Sequence, residues 1–374
     1  MTTAAAIRYC RTCLMPNSRP RIVFDAEGIC NACHTAKSRA NIDWGARLGE
    51  FRRLVEANRP ASGPYDCLVP WSGGKDSSRI AYALKFEHGL NPLLVTFSPL
   101  IPNDIGEHNR EALLRAGFDH VMVRPNQKVA RHLARRFFVE RGNPKVHWDA
   151  GVNSAPVQMA VRYKIPLIFY AEHGESEYGG RVLSEEHRKI RDITEVLEHQ
   201  IGDHPENWID EVVEARDLAP YAYPEPQEIA AVGAKALYFA YFFPWDVTEN
   251  YEYIRSKIDF QIAKSGRSDG TYTSYDSLDD KIDNLYYYLQ FVKFGFGRAA
   301  RDASRQIYRG RMTRDEALEM VRKYDDEFPH TFHKETLEYL GLDQDEFTSI
   351  IDLHRNREIW EQTANGWKLR FPPV

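Results

Sequence analysis

The sequence predicts an α/β protein: a parallel β-sheet flanked by helices, with a cysteine-rich ribbon before it and a mainly helical region after it. Three observations lead there. Between residues 66 and 171, short and nearly continuous apolar runs alternate with segments of helical periodicity, the pattern of strands buried on both faces. Upstream, four cysteines stand as Cys10-x-x-Cys13 and Cys30-x-x-Cys33. Beyond Asp217 the alternation stops and helical spacing dominates. The expected units are the ribbon (1–40), a linking helix (41–63), the sheet domain (64–217) and the helical region (218–374).

A chain of 374 residues, 43% hydrophobic and 12% aromatic, can bury a large core and hold two or three domains. With 49 basic and 54 acidic residues the net charge is −5, a balance that does not favour a nucleic-acid partner. No apolar run reaches the length of a membrane span, and Met1-Thr2-Thr3-Ala4-Ala5-Ala6 has no charged-then-apolar signal layout. The expected location is the cytoplasm, with no membrane partner.

In chain order the ribbon comes first. Each Cys-x-x-Cys turn aims two sulfurs at one point, so Cys10, Cys13, Cys30 and Cys33 together offer four thiolates to a tetrahedral Zn2+. The same ligands can hold an iron–sulfur cluster, whereas disulfides are disfavoured in a reducing compartment. His34 reads as a neighbour rather than a ligand. Residues 21–29 look like a short hairpin, and a unit of this size needs its ion to fold. Cys67, in an apolar run, reads as a small buried side chain. A linking helix over 41–58 follows, closed by Pro60, Gly63 and Pro64.

Residues 66–71 read as a strand, followed by the turn Ser72-Gly73-Gly74-Lys75-Asp76-Ser77-Ser78 and a helix over 77–88. The glycines let the backbone approach an anion. The serine hydroxyls and the free N–H groups of the helix start supply donors, so the turn suits a phosphate. It has neither the Walker A spacing nor a dinucleotide fingerprint. Ser-Gly-Gly-x-Asp-Ser instead resembles the pyrophosphate loop of the ATP pyrophosphatases, which split ATP into AMP and pyrophosphate. Within it, Asp76 reads as a Mg2+ ligand or helix cap, and Lys75 as a phosphate partner or a solvated side chain.

Further strands are expected over 92–97, 120–124 and 166–171, and helices over 107–116, 127–141 and 156–163. Ligands bind such sheets beyond the carboxyl ends of the strands. Thr96, ending the second strand, is placed for adenine or ribose. Glu172, Gly174 and Glu175, ending the last, are placed for the magnesium of ATP or for the acceptor, the alternative being a solvated acidic loop. Residues 148–154 read as a polar loop near the nucleotide. Past 217, Tyr238 to Trp245 is an aromatic run of core character. Leu278, Ile282, Leu285, Leu289 and Val292 mark a helix with Ser277 as its cap, and Thr313 with Glu316 forms a capping box. Between them come Lys293-Phe294-Gly295-Phe296-Gly297-Arg298, then Arg301, Asp302, Ser304 and Arg305; a lysine and several arginines beside a glycine turn suit an anionic substrate such as a sugar nucleotide with a carboxylate, the alternative being isolated surface charges.

This layout resembles the N-acetyl sugar amidotransferases of bacterial surface polysaccharide synthesis. The matching pieces are the four cysteines, the Ser-Gly-Gly-Lys-Asp-Ser loop, Glu172-His173-Gly174-Glu175, Gly270-Thr271-Tyr272, residues 293–298, and Gly310-Arg311-Met312-Thr313-Arg314. The resemblance implies a nucleotide-binding domain of ATP-pyrophosphatase (adenine nucleotide alpha hydrolase-like) type, with ATP, Mg2+ and Zn2+ as cofactors. It implies a reaction in lipopolysaccharide or O-antigen assembly: an acetamido group of a nucleotide-linked sugar becomes an acetamidino group through an adenylated amide and ammonia. Lys75, Asp76, Glu172 and Glu175 would serve the chemistry, and Tyr272, Lys293, Arg298, Arg301 and Arg314 the sugar nucleotide. The resemblance also implies a separate class I glutaminase subunit as ammonia donor; from the residues themselves, with no exposed nucleophilic cysteine to hydrolyse glutamine, ammonia is expected from elsewhere. The rival expectations are a tRNA thiolation or lysidine-type enzyme, which shares the loop, and a non-catalytic nucleotide-binding scaffold subunit.

Overall fold

Five strands form one wholly parallel sheet: β1 Cys67–Pro70, β2 Pro92–Phe97, β3 Asp119–Val123, β4 Leu167–Tyr170 and β5 Lys235–Tyr238, in the spatial order β3-β2-β1-β4-β5. The computed structural model describes residues 7–60, 62–180, 182, 184–192, 201–364 and 366–374; residues 1–6, whose sequence has no signal layout, lie outside them. Period-two alternation sends side chains to opposite faces of the sheet. Cys67 and Val69 pack with Leu94, Phe169 and helix Lys75–Phe86 on one side. Leu68 packs with Leu93, Val95, Ile168 and helices Gln127–Arg141 and Val146–Tyr163 on the other. No helix of the described residues is long and apolar enough to cross a membrane.

Several expected elements occur where the pattern puts them, among them β2, helix Gln127–Arg141 and the linking helix Trp44–Ala57, which Asp43 caps by accepting from Ala46 N–H at 2.9 Å. Thr313 and Glu316 form their capping box at helix Arg314–Tyr324. Four readings are corrected. Residues 148–154 are not a loop, because helix Val146–Tyr163 runs through them and through Pro156. Within that helix Gly151 permits a close approach, since a Cβ on it would lie 2.1 Å from the Phe97 ring. The sheet does not end before Asp217: Lys235–Tyr238, at the head of the aromatic run, pairs with β4 as the fifth strand. Ser277 is not a cap, because its φ is +50° and helix Asp283–Phe294 begins beyond it at Ile282. The loop helix starts at Lys75, two residues before the expected position, with Gly74 as its N-cap.

The ribbon is held together by single antiparallel bridges, Tyr9 with Pro16 and Phe24 with Cys30, and by helix Asn31–Ser38. The expected hairpin over 21–29 is present as a tight turn in which Asp25 N–H donates to Ile29 O at 3.0 Å. The ribbon does not stand alone. Its cysteines, Leu14 and Met15 share one core with Phe296, Ala300, Ala303, Ala317 and Val321 of the C-terminal helices. The chain closes with an antiparallel hairpin of β6 Trp360–Thr363 and β7 Gly366–Leu369.

Candidate active site

The chain leaves β1 toward β2 and β3 on one side and returns to β4 and β5 on the other, so β1 and β4 are adjacent and their carboxyl ends flank a switch point. In parallel sheets that is where a ligand crevice opens. Residues 72–77 lie beyond β1, and residues 172–175 lie beyond β4.

The loop is braced from within. Gly73 takes φ +92°, and a Cβ on it would lie 2.4 Å from Cγ of Arg110, so the turn and the close approach both require glycine. Arg110, buried, donates from Nη1 to Ser72 O at 3.2 Å. Ser72 Oγ accepts from Gly74 N–H at 3.1 Å, and Ser77 Oγ accepts from Ser72 N–H at 3.4 Å. Gly74 has no side chain to cap the helix Lys75–Phe86, which leaves the first N–H groups of that helix to an incoming anion. Ser78 faces inward and accepts from Trp71 Nε1 at 2.9 Å, a brace beneath the loop. Thr96 is also engaged below the surface: its hydroxyl donates to Trp71 O, and His120 Nε2 lies 2.8 Å from it.

Lys75 is only 2% exposed. Its ammonium donates to Asp76 Oδ2 at 2.7 Å and to Asp276, and Asn250 Nδ2 holds the other Asp76 oxygen at 2.8 Å. Burial works against the charge on Lys75, but Asp276 and Asp76 together hold its pKa above the ordinary lysine value. Burial likewise opposes ionisation of Asp276, yet Lys75, Arg305 and Arg301 hold its carboxyl well below the usual carboxylate range. Glu172 is pushed the other way, by burial and then by the nearby Asp76 charge. Its Oε1 accepts from Tyr178 OH at 2.5 Å.

Above this cluster stands helix Arg298–Tyr308, whose two faces do different work. Ala299, Ala300 and Ala303 belong to its buried packing surface, the last two in the ribbon core. At i, i+3 and i+7, Arg298, Arg301 and Arg305 share the opposite stripe. Arg298 donates to Asp276 O at 2.5 Å, Arg305 Nη1 lies 3.7 Å from Asp276 Oδ2, and the Arg301 guanidinium lies 4.2 Å from the Tyr287 ring centroid. Asp302 accepts from Thr271 Oγ1 at 2.7 Å and from Thr273 Oγ1 at 3.0 Å. Buried Nε atoms of all three arginines, Asp302 Oδ1 and Tyr272 OH have no hydrogen-bond partner among the described residues. Asp302 Oδ1 lies 3.7 Å from Arg301 Nε and 3.6 Å from Arg305 Nη2, so these charges balance one another while their open hydrogen-bonding atoms are available to a polar ligand.

Lys293 and Glu175 lie apart from this cluster, on a cavity beside Gly174, and Glu175 pairs with Arg21 of the ribbon. Arg314 lies elsewhere, donating to Val374 O at 2.8 Å. Sequence reading missed Asp276, Asn250 and Arg110, whereas Arg305 stood among the cations read beside the glycine turn. Asp276 follows the Gly270-Thr271-Tyr272 turn in a stretch without periodicity, where nothing local distinguishes it from a surface aspartate.

The four ribbon cysteines are buried, and their sulfurs all lie within 4.8 Å of one another, with Cys13 to Cys30 at 3.5 Å and Cys10 to Cys33 at 3.9 Å. A tetrahedral site with Zn–S bonds of about 2.3 Å sets its sulfurs about 3.8 Å apart. The donor set therefore fits one metal ion held by all four thiolates.

A parallel sheet with a glycine–serine loop at its switch point, a four-cysteine group and a helical C-terminal region define the class: an α/β protein whose loop, read from the sequence as a pyrophosphate loop, lies at the ligand edge of its sheet. Residues 269–371 match the family described as the LPS biosynthesis protein WbpG-like, C-terminal domain, a match that supports the resemblance to surface-polysaccharide proteins. No curated protein sequence matches the chain. Among solved structures, one similar chain is a predicted subunit of tRNA methyltransferase from Methanocaldococcus jannaschii, at 17% identity over 56% of this chain and 82% of that one, with a TM-score of 0.28. Another is the U34-tRNA thiolase NcsA from Methanococcus maripaludis with its [4Fe-4S] cluster, at 13% identity over 81% of this chain and 86% of that one, with a TM-score of 0.30.

Proposed function

We propose that the protein is an ATP-dependent amidotransferase of surface polysaccharide synthesis that converts the acetamido group of a nucleotide-linked sugar to an acetamidino group. One observation carries this reading. The loop lysine, Lys75, is ion-paired to Asp276, which lies within the stretch matched by the WbpG-like family, so the phosphate loop and the polysaccharide-family segment contribute to a single site.

The chemistry suits the groups present. An amide is unreactive toward ammonia until its oxygen becomes a leaving group. Attack of that oxygen on the α-phosphorus of ATP forms the adenylated amide and expels pyrophosphate. The departing charge would meet the N–H groups of the loop and helix start, Lys75, and the arginines of helix Arg298–Tyr308. Asp76 and Asp276, both beside Lys75, are the carboxylates suited to Mg2+, which would spread that charge further. Ammonia then adds to the activated carbon, AMP leaves with the former amide oxygen, and Glu172, whose pKa burial and the Asp76 charge raise above the ordinary carboxyl value, is placed to exchange a proton nearby. No protein nucleophile enters the sequence. Cys67 is fully buried and burial raises its thiol pKa, so ammonia is supplied from outside, in this reading by a class I glutaminase subunit. Zn2+ in the ribbon is structural.

The test is pyrophosphate release by the purified protein with Mg2+, ATP, ammonium and an acetamido sugar nucleotide. Release that requires all components, with a product in which NH replaces the amide oxygen by mass, is the expected outcome. Release elicited by tRNA and not by the sugar nucleotide would transfer the protein to the tRNA-modifying class, and release with neither would favour a scaffold role.

A further inference from the structure

A cavity of about 510 Å3 lies between the ribbon, the turn after β4 and helix Asp283–Phe294, within the size range of small-ligand sites of about 300–1,000 Å3. Arg19 and Arg21 line it from the ribbon, Glu175 and Tyr178 from the turn, and Tyr286 and Lys293 from the helix. Tyr178 links it to the loop cluster. The ring of Tyr178 lines the cavity, its hydroxyl donates to Glu172 at 2.5 Å, and the Arg305 guanidinium lies 5.0 Å from its centroid.

The cations here are held in place without being fully matched. Arg21 has a φ of +62°, a conformation that a non-glycine residue keeps only where its surroundings fix it. Its Nη2 pairs with Glu175, but Nη1 is buried with no partner among the described residues. The Glu175 carboxylate is itself seated tightly, since a Cβ on Gly180 would fall 1.8 Å from Oε2. Arg19 donates from Nε to Gly179 O at 3.3 Å, and burial lowers its pKa. The Lys293 ammonium donates to the Arg141 carbonyl, and burial lowers its pKa to about 8. The ribbon that carries the two arginines is fastened to the same helix, Ser18 Oγ donating to Phe294 O at 2.5 Å.

Resting on the amidotransferase reading, we infer that this cavity binds the diphosphate-bearing part of the acetamido sugar nucleotide, with Arg19, Arg21 and Lys293 as its cationic wall and the sugar directed past Tyr178 toward the loop. ATP needs the loop 72–77 and its helix start, so the second phosphate-bearing substrate needs a separate cationic seat within reach of the same carboxylates. The ribbon then forms part of the acceptor site as well as a structural unit.

The experiment is calorimetric titration of the full chain with UDP-N-acetylglucosamine and, separately, with ATP and Mg2+. Loss of one charge-assisted contact should weaken UDP-N-acetylglucosamine binding roughly tenfold in Arg21→Gln and again in Lys293→Gln, with ATP affinity unchanged in both. The two positions lie on different elements, so a folding defect in one leaves the other to decide. Equal affinity of wild type and both variants for the sugar nucleotide overturns the inference and leaves the amidotransferase reading standing. Failure of the wild type to bind it also overturns the inference, and the pyrophosphate assay then decides independently whether the amidotransferase reading survives.

Discussion

At the scale of single residues, Asp276 has the most to do and the least to announce it. One carboxylate takes the Lys75 ammonium and faces Arg305, while its backbone carbonyl accepts from Arg298. Removing its charge leaves Lys75 to Asp76 alone and Arg305 to Asp302. Asp276→Asn should therefore lower kcat/KM for pyrophosphate release by about 10–100-fold, the usual effect of losing a group that orients a functional one. A rate equal to wild type would take Asp276 out of the site. The residues legible beforehand were those whose chemistry is written in adjacent positions: the glycines and serines of residues 72–78, and four cysteines in paired turns. Asp276, Asn250 and Arg110 meet the loop only because the fold brings distant segments together, and a lone Asp, Asn or Arg in an unpatterned stretch gives no local signal. Thr96 and Ser78 show the converse. Their positions at the strand end and helix start are as expected, but their hydroxyls are spent on Trp71.

At the scale of elements, periodicity identified what local sequence controls and failed where packing overrides it. Helix Val146–Tyr163 contains a glycine, a proline and a polar run, each of which argues for a loop, and is helical because its buried side packs on the sheet. β5 was concealed inside an aromatic run that also contains the short helix Phe239–Phe242. The ribbon was legible as a metal-binding unit, but its partnership with helix Arg298–Tyr308 was not, because the alanines that make the contact carry no distinctive pattern. That partnership has a measurable consequence. A small metal-stapled unit unfolds when its ion is removed, and here its core is continuous with that of the C-terminal helices. Chelation should reduce amide hydrogen-exchange protection in helix Arg298–Tyr308 as well as in the ribbon. Loss confined to residues 7–40 would show the two to be energetically separate.

For the molecule as a whole, the buried carboxyls set how stability responds to pH. Burial pushes Asp149 up to about 7, against the opposing charge of Lys145, and burial with the neighbouring Asp283 charge pushes Asp279 up to about 7. In the unfolded chain an aspartate titrates near 3.9, so over the interval between these values the native state binds more protons. Their contribution to stability is complete below about pH 4, declines as pH rises toward 7 and is gone above it. Asp276 has the reverse sign: its depressed pKa adds stability that is fully present once pH exceeds the unfolded value and is lost in acid. Lys75, raised, contributes steadily until alkaline pH. Burial raises Asp325 to about 7 as well, with the same sign, whereas His120 and His147, lowered by burial to about 4 and about 3, add stability as pH rises toward 6.5. The share that belongs to Asp149 is read by difference: between pH 5 and 7 the thermal midpoint of Asp149→Asn should gain on that of the wild type. Parallel midpoint curves for the two proteins over this range would contradict the assignment.

The Lys75–Asp276 pair also bears on how relatives of this protein can be recombined. Its partners are separated by 201 positions and lie in different parts of the chain, one on the sheet's loop and one in the stretch shared with the WbpG-like family. A chimera that takes its sheet from one relative and its C-terminal helices from another inherits only half of this contact from each parent. A graft that brings in a C-terminal segment without an acid at position 276 would leave Lys75 to Asp76 alone, so position 276 has to be matched to the loop it faces.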